Sequence, residues 1–176
     1  MTQDERTILE ALNAIVKSDK VRAQILPIVE RVRADLSQKP QAVMAWEPIS
    51  LTTYGDGLPA EIRSSWVFVL RAGANTGAER HPNSHQRMMS FDGSGDLQVG
   101  EPGLWQSNLL SDANATLERR WVSIPPDVWH RPVVPQEADW VVVSFHTVPA
   151  DELIEERPDA GGAGTKQMRY LGRSRN

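Results

Sequence analysis

From Ala42 to Val148 the chain breaks into short runs of β-branched and aromatic residues divided by Gly, Pro, Asn and Asp, and no helical period interrupts them. The runs cover residues 43–46, 65–71, 85–91, 97–99, 120–124 and 140–148. Strands this short and this regularly punctuated close on one another as an antiparallel sandwich or barrel, because a parallel sheet needs a crossover helix between successive strands. Ahead of them lie two helical stripes. Residues 2–17 place Ile8, Leu9, Leu12, Ile15 and Val16 on one face, with Thr2 and Glu5 at capping-box spacing. Ser18 and Asp19 open a second stripe carried by Val21, Ile25, Leu26, Ile28, Val29, Val32 and Leu36, and Pro27, which has no N–H to donate, predicts a kink or restart there. The expected organisation is therefore an N-terminal helical extension over residues 1–40 packed on a barrel at 41–150. Residues 151–176 follow, with DELIEE read as a helical turn before a Gly-rich, basic, flexible tail.

A chain of 176 residues suits one domain, and a formal net charge of -4 offers no basic surface to a nucleic-acid backbone. There is no cysteine, so disulfides, thiolate nucleophiles and cysteine-held zinc or iron–sulfur centres are excluded. Any metal must use His, carboxylate or amide ligands. The longest aliphatic run, at 140–145, is too short to span a bilayer, and the first residues lack the apolar core of a signal peptide. The expected setting is cytoplasmic, with no membrane or nucleic-acid partner.

The chemistry concentrates between Gly73 and Gly93. Residues two apart on an extended segment share a face, so Glu79 and His81 point together. If the chain turns at Pro82, Asn83 and Ser84, either His85 or Gln86 rejoins that face, depending on register. His130 follows the rigid turn Pro125-Pro126-Asp127. Neutral imidazole and carboxylate suit divalent Fe, Mn, Ni or Zn and can leave a coordination position open, but this local chemistry permits a metal without requiring one.

The spacing goes further. Gly73, five residues, Glu79-x-His81, four residues, Gln86, six residues and Gly93 resembles the first motif of the cupin superfamily, in which the ligand positions usually hold His, His and Glu. Pro125-Pro126-Asp127-Val128-Trp129-His130 resembles the second, with Asp127 in place of Gly. The Glu79-x-His81-Pro82 order is also similar to a segment of cupin-type mannose-6-phosphate isomerases. The resemblance implies a mainly β, cupin-type antiparallel barrel of double-stranded β-helix (jelly-roll) form. It implies a divalent transition metal (Fe, Mn, Ni or Zn) on Glu79, His81, Gln86 and His130, with His85 replacing Gln86 if the turn is one residue tighter.

On that resemblance the leading expectation is a metal-dependent dioxygenase, lyase or isomerase acting on a small organic molecule in the barrel, with Glu79 and His130 at the chemistry. The alternatives are a non-enzymatic metal- or metabolite-binding sensor and a metal-free, sugar-epimerase-like cupin using His81 or His130 for proton transfer. A homodimer is expected from resemblance only. Of the remaining residues, Trp66, Phe68 and Leu70 alternate with Val67, Val69 and Arg71, and one set must face inward; Arg71 would be notable there as a receptor for an acidic group. Met88 and Ser90 share the face of Gln86, Trp129 and Arg131 face away from His130, and His146 reads as a strand-end residue or an outer partner of the site.

Overall fold

The computed structural model of the chain describes residues 1–101, 103–113, 116–159 and 164–169. It opens with α1 (Gln3–Lys17) and α2 (Asp19–Ser37). The Thr2 hydroxyl accepts from the Glu5 amide to cap α1, and the Ser18 hydroxyl accepts from the Val21 amide to cap α2. α2 does not restart at Pro27 but runs through it. Pro27 and Ala23, whose carbonyl loses its donor, are both exposed, so water satisfies that carbonyl while Ile25, Val29, Val32 and Leu36 bury the other face.

The strands are β1 (Met44–Pro48), β2 (Ser64–Leu70), β3 (Gln86–Asp92), β4 (Ser94–Glu101), β5 (Leu104–Gln106) and β6 (Leu109–Ser111). They continue with β7 (Trp121–Ile124), β8 (His130–Val133), β9 (Trp140–His146), β10 (Ile154–Pro158) and β11 (Thr165–Arg169). A 3-10 helix covers Leu51–Gly57 and a short helix, α3, covers Leu117–Arg120. Five strands form an antiparallel sheet in the order β1-β2-β9-β3-β7. β4 centres a second antiparallel sheet, pairing with β5, β6 and β8. The fold is a mainly β jelly-roll of two sheets with N-terminal helices on its outside, and among the described residues no helix is long and apolar enough to cross a membrane.

Alternation sorts the five-stranded sheet into two buried faces. Val67, Val69, Met89, Phe91, Val143 and Phe145 pack against Leu9, Leu12, Val16, Ile25 and Val29 of the helices. Leu70, Met88, Ile124, Trp140 and Val142 pack against Leu97, Val99 and Leu110 of the other sheet. Every residue of β9 is buried, which is why its sequence is mostly apolar on both faces, with Ser144 and His146 the exceptions. Trp140 fits because Gly95 has no side chain; a Cβ there would overlap the indole. Arg71 does not point inward: its guanidinium donates to the carbonyls of Leu36, Lys39 and Ala42, capping the end of α2.

The segment expected as a helical turn, residues 151–156, is instead a turn leading into β10, which pairs antiparallel with β11. Part of the expected flexible tail is thus strand; residues 160–163 and 170–176 lie outside the described residues. Backbone pairing overrides local helix propensity here, because Glu156 exchanges two hydrogen bonds with Arg80, at 3.0 and 2.9 Å, and so extends the sheet system.

The most buried of the ion pairs that tie the helices to the sheet is that of Glu5 and Arg87. Glu5 accepts from Arg87 at 2.7 Å on each carboxylate oxygen and from the Ser123 hydroxyl at 2.6 Å, and Arg87, 3% exposed, also reaches Glu61 at 2.7 Å. Burial would raise the Glu5 pKa, but the Arg87 and Ser123 hydrogen bonds outweigh it and hold the carboxyl below its ordinary value. Glu5→Ala should destabilise the protein by about 2 kcal/mol, less than for a fully buried pair because Glu61 still balances Arg87. Denaturant unfolding of the two proteins measures it; an unchanged midpoint would mean the pair does not anchor α1.

Candidate metal centre

The site is built by backbone pairing before any side chain enters. The Glu79 amide donates to the His130 carbonyl and the His130 amide to the Glu79 carbonyl, both at 2.9 Å, so the two residues sit directly opposite at the mouth between the sheets. His81 follows on the face of Glu79. The turn after it is fastened by Asn83, whose side chain donates to the Glu152 carbonyl at 2.8 Å and accepts from the Ile154 amide at 3.1 Å. On the other side Asp127 adopts φ 69°, and its amide donates to the His81 carbonyl at 3.1 Å. This is the position where the resembling motif carries Gly, and Asp tolerates the left-handed region better than most residues. Gly73 and Gly93 also have positive φ, at 75° and 83°, and a Cβ on Gly93 would come within 2.9 Å of the Asp139 carbonyl oxygen. The motif glycines are therefore demanded by the turns at which they stand.

Glu79, His81 and His130 each offer a ligand atom within 4.8 Å of the others. His81 Nδ1 donates to the Ile154 carbonyl at 2.9 Å and His130 Nδ1 to the Val128 carbonyl at 3.2 Å. These bonds orient both rings and leave Nε2 as the lone-pair nitrogen, the arrangement outer partners give metal-binding histidines. His130 is 2% exposed, yet its Nε2 has no hydrogen-bond partner and lies 3.6 Å from the nearer Glu79 oxygen. A buried polar atom without a partner is costly, so an aimed and unsatisfied lone pair points to something that completes it.

The register decides between His85 and Gln86. Gln86 lies opposite His146 on β9, on the face that turns toward the interior, and the His146 ring sits 5.0 Å from that of His81. The Gln86 amide oxygen is buried without a partner. His85 faces the helices instead, with Nε2 2.7 Å from the Ser123 hydroxyl. Glu79, His81 and His130 are thus brought together with Gln86 on their side of the sheet, and His85 is not. His146, 1% exposed, meets His81 edge-on, with its nitrogens 3.3 and 3.4 Å from the hydroxyls of Ser84 and Ser144. Met88 is buried in the interior cluster, and Ser90 accepts from the Trp140 indole at 2.9 Å. Trp129 and Arg131 do face away: Arg80 lies over the Trp129 ring and Arg131 over Trp105, each at 4.6 Å.

Two charged residues at the site were missed in the sequence. Arg157 of β10 pairs with Glu79 and donates to the buried Glu155 at 2.6 Å and to the Thr76 carbonyl at 2.7 Å. Their cue is the alternation in Ile154-Glu-Glu-Arg157, which a helical turn masks. Burial would raise the Glu79 pKa, but the close approach of His130 Nε2 at 3.6 Å, with the charges of Arg157 and His81 behind it, brings it down to about 2. Burial, reinforced by the His130 charge, lowers His81 to about 4, and burial takes His146 well below the usual histidine value. Near neutral pH the cluster therefore presents an ionised Glu79 carboxylate beside a neutral His81 imidazole, a protonation state suited to a divalent cation.

No protein-family model matches the chain, and no curated protein matches it in sequence. Solved structures with a partial likeness include the capsular polysaccharide assembling protein CapF from Staphylococcus aureus, at 12% identity and a TM-score of 0.48 over 72% of this chain and 32% of that one. An oxalate oxidase in complex with glycolate has 11% identity and a TM-score of 0.47 over 61% and 52%. KdgF from Halomonas sp. has 12% identity and a TM-score of 0.46 over 63% and 86%. The chain spans 29% of a further CapF structure and about half of the oxalate oxidase. No activity follows from likeness at this level. The fold is a jelly-roll of antiparallel sheets, and the Glu79–His81–His130 cluster stands on it where the chain's own spacing resembles the cupin motifs.

Proposed function

We propose that this protein is a metal-binding cupin in which Glu79, His81, His130 and Gln86 hold a divalent transition metal (Fe, Mn, Ni or Zn), and that it is a metal-dependent enzyme of dioxygenase, lyase or isomerase type. The observation that carries the reading is the buried His130 Nε2, held in place through Nδ1 and left without a partner beside an ionised Glu79. The donor set is two imidazole nitrogens, a carboxylate and a neutral amide oxygen, which suits borderline metals better than hard ones. A bound ion would supply Lewis-acid polarisation of a carbonyl or, as iron, chemistry toward oxygen.

The chain's own groups have narrower roles. Glu79 is a ligand rather than a general base, because a carboxyl with pKa about 2 holds a proton too weakly at neutral pH and one of its oxygens is taken by Arg157. Arg157, shared between Glu79 and Glu155, keeps the cluster's charge near that of one carboxylate, which a divalent ion balances. Trp66, Phe68 and Met88 on the interior face make a mostly apolar wall, fitting a small, partly apolar substrate. The burial of His81 and His130, 4% and 2% exposed, favours a second reading, a non-enzymatic metal-binding or sensing protein with a closed site.

Elemental analysis of the purified protein should find one equivalent of a transition metal, and titration of chelated protein should restore it. His81→Ala and His130→Ala should weaken metal binding by more than about a hundredfold, beyond the effect typical of an outer partner, while His85→Ala should leave it unchanged. Metal content untouched in both ligand variants would overturn the site. Turnover or oxygen uptake with the metal restored then distinguishes the enzyme from the sensor.

Acid should destabilise the metal-free protein in two stages. His81 titrates at about 4 folded against 6.5 unfolded, so the unfolded state takes up the proton first and stability falls as pH drops from about 6.5 to 4. Glu79 contributes stability that is present above its unfolded value of 4.5 and lost as pH falls toward 2. Calorimetric melting of chelated protein should show the first stage, and His81→Gln should reduce it, leaving the part that buried His146 contributes; identical pH profiles for the two proteins would refute the assignment to His81.

A further inference from the structure

On the far face of β3 from the metal centre, a cavity of about 450 Å³ opens between α1, β7 and α3. Its apolar lining includes Leu9, Trp121, Val122 and Pro125, and its polar lining includes Glu5, His85 and Ser123. The volume is that of a small-molecule site. We propose that this groove is a second ligand site, for a compact neutral aromatic molecule bearing one hydroxyl, with His85 Nδ1 accepting the ligand's hydrogen bond.

The direction of the hydrogen bonds carries the assignment. Arg87 donates twice to Glu5, which fixes that carboxylate as an acceptor. The Ser123 hydroxyl gives its single proton to Glu5 at 2.6 Å. Its oxygen, having no proton left to give, can only accept from His85 Nε2 at 2.7 Å. His85 Nε2 therefore carries the ring proton and Nδ1 the lone pair, and among the described residues no group donates to Nδ1.

Charge narrows the choice of ligand. Glu5 is matched by Arg87, and Glu118 at the rim is paired with Arg6. The lining also includes Met1, Thr2 and Asn108, and at His85 it offers a lone-pair acceptor beside the apolar Leu9, Trp121 and Val122. A phenol meets both requirements with one donor and one flat ring. The site does not depend on the metal reading, because His85 faces the opposite side of the sheet from Glu79, His81 and His130.

The test uses the full-length protein, with phenol as probe and toluene as its near-isostere lacking the donor. Histidine-ring proton–nitrogen NMR should show His85 as the Nε2–H tautomer, and phenol should produce saturable shifts at the His85 ring and the Trp121 indole. Toluene should bind about three- to tenfold more weakly, the difference one hydrogen bond makes. His85→Phe should abolish that preference. No saturable shift, equal affinity for phenol and toluene, or shifts confined to His81, His130 and His146 would each overturn the proposal, and the first two need no variant to fold. Metal content is measured on the same samples, so failure of the metal site is read separately.

Discussion

Two reciprocal backbone hydrogen bonds, between Glu79 and His130, set the position of everything chemical in this chain. They clip the segment ahead of β3 to the start of β8, and on the neighbouring residue Arg80 repeats the exchange with Glu156 of β10. Three distant stretches of sequence are thereby laid side by side. Glu79 and His81 project to one side of this ribbon, where His130 meets them, and Arg80 projects to the other, where it pairs with Glu156 and Asp127 and covers Trp129. The same pleat that separates a potential metal cluster from a structural ion-pair cluster requires no difference in local sequence, only alternation.

A carboxylate buried against two imidazoles would be unstable without compensation, and β10 supplies it. Arg157 reaches Glu79 while being held by Glu155 and the Thr76 carbonyl, so the positive charge is itself fixed. Ile154 adds the carbonyl that orients His81. The C-terminal hairpin is thus part of the site: its Arg157 adds to the charge that keeps Glu79 ionised, and its Ile154 carbonyl sets the tautomer of His81. A chain ending before β10 would keep the three ligand-type residues and lose the partners that prepare them.

The helical stripes, the special turn positions and the strands β1, β2, β3, β4, β7 and β9 were legible in the sequence, whereas β5, β6, β8, β10 and β11 were not. Gly73, Gly93 and Asp127 could be read because positive φ restricts which residues are tolerated, and the α1 and α2 faces because burial imposes the 3.6 period. At Pro27 the helix does not restart, since the rule against interior proline weighs most on a carbonyl cut off from water, whereas Ala23 and Pro27 lie on the exposed side. Residues 151–156 misled: strand pairing with Arg80 is a contact across many residues, invisible to a local window. Arg71 likewise reads as an inward charge until the end of α2 is seen packed beside it.

By itself the sequence determined which residue types could serve as ligands, how they were spaced, and that a mostly antiparallel barrel would carry them, because these follow from side-chain chemistry, turn geometry and hydrophobic period. It could not choose between His85 and Gln86, since adjacent strand residues differ only by which face they take. Pairing of β3 with β7 and β9 made that choice, turning Gln86 toward His146 and His85 toward Ser123. The charges around Glu79 were decided the same way, by a strand far along the chain whose place depends on the folded sheet rather than on its own composition.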